Sequence, residues 1–124
     1  MAALTILAAV FGFLGVALGA FGAHALSARF REQPNLGDSY RTGAQYHLLH
    51  TLALLGTAWA SSQWSSGLIP AGGVLFALGI VLFSGSLYVM ALTGNRKLGA
   101  ITPLGGLAFL AGWTCLALGV LTSA

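Results

Sequence analysis

No lysine, arginine, aspartate or glutamate occurs before Arg29, and none occurs between Arg41 and Arg96. This distribution limits the fold more than any motif does. A run of roughly 20 apolar residues is what an α-helix needs to cross a ~30 Å hydrocarbon core. Only 6% of the 124 residues are charged. A soluble domain carries roughly 25% charged residues, so this chain cannot cover a water-facing surface. The lipid bilayer is the expected surroundings. The net charge of +3 does not argue for nucleic acid, because five cations make no basic stripe.

Four spans follow from the apolar runs, at about 2–23, 43–61, 69–92 and 103–122. The reading is all-α: one domain over 1–124, an integral membrane four-helix bundle made of two transmembrane hairpins. Ala23-His24-Ala25 resembles a signal-peptidase site, but no basic residue precedes it and the apolar run is long, so the first span is expected to be retained. Pro34 and Gly37 are expected to break any long helix in the polar segment 27–42, where Phe30, Leu36 and Tyr40 would rest in the headgroup layer. Trp59 and Trp64 suit an interfacial belt. Pro70 suits a first helical turn, Gly94 a C-terminal cap, and Thr102-Pro103 a cap followed by a first-turn proline.

The five cations lie in segments 27–42 and 95–101. Cytoplasmic loops carry the excess of Lys and Arg, so both basic loops are expected in the cytoplasm and both termini outside.

Small residues mark the faces that pack. Ala8, Gly12, Gly15, Gly19 and Gly22 recur at alternating steps of four and three, and Gly105, Ala108, Gly112, Cys115 and Gly119 do the same in the last span. Gly43, Tyr46, His50, Ala53, Thr57 and Ala60 make a mixed stripe, and Gly72, Gly79 and Ser86 stand seven apart. Small faces let helix backbones approach closely where lipid supplies no hydrophobic drive. The stripes serve the monomer first; a homo-oligomer or a membrane partner subunit is the other use. Cys115 reads as a packing residue.

The polar residues His24, Gln45, Tyr46, His47, His50, Ser84, Ser86, Tyr88 and Thr102 come from all four spans and converge on the basic half. Intramembrane polar groups are costly and face the bundle interior. One reading makes the histidines neutral, hydrogen-bonded clasps. The other makes a pocket for a metal, haem or quinone, or a proton relay. Glu32 and Asp38 both lie in the first loop, so no carboxylate within a span could orient a metal-bound histidine, which weakens a zinc site. Phe83-Ser84-Gly85-Ser86-Leu87-Tyr88 lacks the two flanking glycines of a nucleophile elbow, and no catalytic set is complete.

Four motifs in order carry a resemblance: Gly19-Ala20-Phe21-Gly22-Ala23-His24-Ala25-Leu26; Tyr46-His47 with His50; Leu82-Phe83-Ser84-Gly85-Ser86-Leu87-Tyr88; and Ile101-Thr102-Pro103-Leu104-Gly105-Gly106 with Gly112-Trp113. Over essentially the whole chain this resembles the small membrane proteins grouped as domain of unknown function 423, and it is similar to the eukaryotic transmembrane protein 256 group. The resemblance implies a four-span protein of a bacterial inner membrane and singles out His24 and His50 as motif positions, with His47 incidental. It implies no reaction and no cofactor. The expected function is that of a non-enzymatic accessory or interaction subunit. The alternative is a small transporter, channel or ligand-binding protein built on the polar pocket.

Overall fold

A computed structural model describes residues 2–124, which are 89% helical with no strand among them. The helices are α1 (Ala2–His24), α2 (Ser27–Glu32), α3 (Pro34–Gln63), α4 (Leu68–Gly79), α5 (Gly85–Thr93) and α6 (Thr102–Leu121). A π-helical turn, Ile80–Ser84, joins α4 to α5 without interrupting the rod, and a 3-10 turn, Arg96–Ala100, precedes α6. Three rods are long and apolar enough to cross a membrane: Ala2–His24, Leu68–Thr93 and Arg96–Leu121. The remaining long helix, α3, is diluted by Gln45, Tyr46, His47 and His50, and it compensates by position. It packs against α1 on one side and against α4, the π turn and α5 on the other.

Local signals explain most boundaries. Pro34 interrupts the helix as expected: α2 stops at Glu32, Gln33 takes an extended conformation (φ −129°, ψ 77°), and Pro34 then occupies the first turn of α3, where its missing N–H costs nothing. Gly37 continues that helix, because a Cβ there would lie 2.9 Å from the Phe30 Cβ. Glycine is what lets α2 fold back onto α3. Gly94 closes α5 in the left-handed conformation, φ 74°, with its N–H on the Met90 carbonyl at 2.7 Å. Pro70 lies in the first turn of α4 as expected. Thr102 is no cap: Ile101, whose side chain has no polar group, takes that position, and the Thr102 hydroxyl is engaged with Ser86.

The small-residue stripes resolve into heptads. Ala8, Gly15 and Gly22 are buried on α1; Gly43, His50 and Thr57 on α3; Gly72, Gly79 and Ser86 on the α4–α5 rod; Gly105, Gly112 and Gly119 on α6. The contact between α4 and α6 is close. A Cβ on Gly112 would lie 2.7 Å from the Phe76 ring, and one on Gly72 would lie 2.9 Å from the Gly112 carbonyl. A Cβ on Gly105 would collide with the Phe83 backbone beside the π turn. On α1, a Gly15 Cβ would come within 2.6 Å of Leu48, and one on Gly22 would strike the Tyr40 ring. Gly12 makes only an ordinary contact with Thr51 at 3.6 Å, and Gly19 meets nothing within 4 Å, so Gly19 is not a packing residue. Four residues turn a helix about 40° past one full revolution, which carries the Gly12–Gly19 row off the seam.

The middle of the core joins Leu4, Ala8, Leu54, Phe76, Ile80 and Phe109. A second cluster joins Phe30, Leu36, Tyr40, Tyr88 and Ala91 at the basic end. Phe30, Leu36 and Tyr40 therefore do not rest in the headgroup layer; they are buried under the fold made by α2 and the start of α3. Arg29 Nε donates to the Ala91 carbonyl at 3.0 Å, which ties the first loop to the end of α5. At the other end Ser123 Oγ donates to the Ser65 carbonyl at 3.2 Å. Both basic loops thus share one end of the bundle. Because α1 leans on α3 and α6 leans on α4, with no substantial packing between α1 and α6 among the described residues, the bundle is open along one side.

Candidate functional site

The polar residues of the spans form separate clasps, each between neighbouring helices. His47 is 2% exposed. Its Nε2 lies 2.8 Å from the Phe11 carbonyl and its Nδ1 2.9 Å from the Tyr88 hydroxyl. A carbonyl only accepts, so Nε2 carries the proton, and Nδ1 accepts from the Tyr88 O–H. One neutral imidazole thereby joins α1, α3 and α5. The Phe11 ring meets the imidazole edge-on at 6.0 Å.

His50 has the other tautomer. Its Nδ1 donates to the Tyr46 carbonyl one turn earlier at 2.9 Å, and its Nε2 accepts from Trp113 Nε1 at 3.2 Å. The ring stacks on Phe109 at 3.6 Å between centroids. Both bonding modes hold a neutral histidine and leave no ring nitrogen for a metal or a haem iron.

Ser84 sits at the end of the π turn, where its Oγ donates to the Gly43 carbonyl at 2.6 Å. Ser86 Oγ donates to the Phe83 carbonyl at 2.9 Å and lies 2.6 Å from Thr102 Oγ1. With the Ser86 proton so placed, Thr102 donates to Ser86 and closes α5 onto α6. Tyr40 donates a short hydrogen bond to the Leu18 carbonyl. No buried side-chain nitrogen or oxygen among the described residues lacks a partner. No three His, Cys, Asp or Glu side chains among them come together as a metal-binding group.

His24 and Gln45 stand apart from these clasps. His24 is exposed at the end of α1, and only its carbonyl is engaged, accepting from Ser27 Oγ at 2.9 Å. Gln45 is exposed on α3. The motif pair His24 and His50 is thus not brought together, whereas His47 bonds through both ring nitrogens to two other helices. In the sequence, Trp113 is marked only as part of a motif, not as the donor to His50. The signal was there in Gly112: a glycine packed on Phe76 brings the next side chain of α6 alongside α3. The Phe11 and Leu18 carbonyls left no signal, since any residue supplies one.

One groove remains open. Tyr46, His50, Phe83, Phe109 and Trp113 line a cavity of about 650 Å³ between α3 and α6. A second cavity of about 560 Å³ continues past Trp113 to Trp59, Trp64 and Val120. The walls are aromatic and aliphatic, from α3 on one side and α6 on the other. The Tyr46 ring packs on Phe83 at 4.6 Å and stacks parallel to His50 at 5.9 Å, and Tyr46 is 40% exposed.

Comparison with known proteins agrees with this architecture. A family described as "Protein of unknown function (DUF423)" matches residues 18–106. The UPF0382 inner membrane protein YgdD of Escherichia coli K12 is 47% identical over 116 residues, which cover 94% of this chain and 87% of that protein. The UPF0382 membrane protein YwdK of Bacillus subtilis is 45% identical over 109 residues, 87% of either chain. A UPF0382 membrane protein of Staphylococcus haemolyticus is 44% identical over 115 residues, covering 90% of this chain and 88% of its own. No solved structure matches. With the family match spanning most of the chain and these relatives aligned nearly end to end, the chain belongs to the DUF423 family of membrane proteins, whose molecular function is unknown.

Proposed function

We propose that this protein is a non-enzymatic accessory component of the inner membrane, which engages an apolar membrane partner through the groove between α3 and α6. The observation that carries the reading is the contrast between the two kinds of surface. Inside the bundle the histidine, serine and threonine side chains are consumed in helix-to-helix hydrogen bonds, which leaves no activated nucleophile or base. Outside, a long groove is ringed by side chains that gain from contact with another apolar surface. In this reading α3 is the second of four crossings, and the gathering of the cations in loops 27–42 and 95–101 supports a cytoplasmic side for those loops and an outside one for both termini. A reporter fused to the C-terminus is then active only on the outer face; activity in the cytoplasm overturns the topology.

The groove is tested by Gly106→Leu. A Cβ at Gly106 meets only the Phe83 ring, at 4.0 Å, so the larger side chain enters the groove without breaking a helix contact. Purified at native expression in mild detergent, the parent is expected to migrate as an assembly and the variant as a monomer. A monomeric parent under the same conditions removes the proposal. The ring-lined walls favour one second reading, a lipid-soluble ring compound held in the groove. In that case Gly106→Leu loses an extractable small molecule and leaves the mass of the protein assembly unchanged.

A further inference from the structure

The basic end of the bundle carries a second feature that neither the clasps nor the groove uses. Two adjoining cavities, of about 180 and 200 Å³, share Gly22, Ala23, Phe30 and Arg41. One extends along α1 past Gly19, and the other reaches Arg31. Together they form a crease between α1 and the turn from α2 to α3, with two guanidinium groups at its mouth.

The cations differ in how far they are committed. Arg29 is spent on the Ala91 carbonyl. Arg41 gives Nη2 to Asp38 at 2.7 Å, in an exposed pair with side chains 66% and 72% accessible. Its other N–H groups stay available, since a guanidinium has five. Arg31 is exposed and has neither a hydrogen bond nor an ion pair among the described residues. The depth is that of a headgroup. As a helix, Ala2–His24 is about 34 Å long at 1.5 Å per residue, slightly more than a ~30 Å core, so its last turn emerges at the polar boundary. Below that boundary the crease is lined by Gly19 and Ala44, and at Gly19 a Cβ would meet nothing within 4 Å. Positive charge at headgroup depth, above an apolar slot opening sideways, complements one kind of molecule: a negative phosphate on an acyl chain.

The geometry points to an anionic phospholipid bound here, its phosphodiester between Arg31 and Arg41 and one acyl chain in the crease beside Gly19. Arginine suits the head because its planar fork presents paired N–H groups to phosphate oxygens. The Ser27 hydroxyl lines the same cavity, but its proton is on the His24 carbonyl, so the arginines supply the donors. The uncommitted cations of the other basic loop, Arg96 and Lys97, lie outside this crease and provide an internal control.

Native mass spectrometry of the full chain with equimolar phosphatidylglycerol and phosphatidylcholine tests the assignment. The parent is expected to retain phosphatidylglycerol in preference. Two cations near a lipid surface contribute enough that Arg31→Gln with Arg41→Gln should weaken this binding roughly thirtyfold. The pair Arg96→Gln with Lys97→Gln, which removes the same charge, should leave it unchanged. Gly19→Leu should block the chain and weaken retention with both arginines intact. Equal loss in the two charge-neutralised pairs overturns the site in favour of a diffuse surface potential. Displacement by inorganic phosphate, with no effect of Gly19→Leu, overturns the lipid in favour of a free anion.

Discussion

The bond between His47 and Tyr88 can be weighed by a double-mutant cycle in which His47→Leu and Tyr88→Phe keep the bulk of both side chains. Removing the imidazole breaks two hydrogen bonds, at 2.8 and 2.9 Å. They are not equivalent. Phe11 lies in the middle of α1, where its carbonyl also serves the helix ladder, so losing His47 there costs about the membrane average of 0.6 kcal/mol. The Tyr88 hydroxyl has no other acceptor among the described residues, and Tyr88 is 7% exposed. Stranding it costs about 1–3 kcal/mol. His47→Leu is therefore expected to destabilise by about 2–3 kcal/mol in total. Tyr88→Phe strands the Nδ1 lone pair instead, at about 1–2 kcal/mol. The double variant has no stranded group on either side, so its cost falls short of the sum by about 1–2 kcal/mol. The assay is reversible unfolding in mixed micelles titrated with sodium dodecyl sulfate and followed by helical circular dichroism. Additivity within about 0.5 kcal/mol refutes the argument, because uncoupled residues add to that accuracy.

Two other outcomes follow from the same geometry. Gly112→Leu is expected to cost at least about 1–3 kcal/mol by overpacking, since its Cβ would lie 2.7 Å from the Phe76 ring and 3.1 Å from the Gly72 carbonyl. Gly19→Leu, facing open space, should unfold at the same detergent concentration as the parent; equal losses in the two variants contradict the division of the stripe. His50→Phe keeps a ring on Phe109 and removes the acceptor of Trp113 Nε1, at a cost of about 0.6 kcal/mol. In a background with Trp59 and Trp64 replaced by Phe, emission from Trp113 should shift to the blue. An unchanged spectrum refutes the bond.

How much of this was legible follows a physical line. Glycines that permit close approach announce themselves by period, and the heptads through Gly15, Gly112 and Gly119 stand in the core. Gly94 marks a helix end because few other residues adopt its φ of 74° cheaply. Residues with two uses were misread. Pro34 both ends α2 and begins α3, and only the second use was missed. Tyr40 has the composition of an interfacial residue, yet its ring fills the space that Gly22 leaves on α1. Thr102 could cap its own helix, but Ser86 offers a part-buried interhelical bond instead. In each case the choice depends on a neighbour distant in sequence, which no local pattern contains. The polar residues were expected to form one pocket for the same reason. Depth along a helix can be counted, but the direction in which a side chain leaves it depends on packing.

The pairwise clasps also account for how a helix as polar as α3 belongs to this fold. An isolated helix bearing Gln45, Tyr46, His47 and His50 would enter lipid poorly. Here Gly43 receives Ser84, His47 reaches Phe11 and Tyr88, and His50 receives Trp113, so α3 is bonded to α1, to the α4–α5 rod and to α6. Three partners around one polar helix determine the arrangement. If α1 and α6 packed fully on each other as well, the bundle would close, but each spends its glycine seam elsewhere, α1 on α3 and α6 on the α4–α5 rod. The aromatic groove between α3 and α6 stays open because α6 spends its seam on the α4–α5 rod and meets α3 only lightly. Here His47 and His50, chemically the most versatile residues of α3, are joints of the structure, whereas His24 stands exposed at the end of α1.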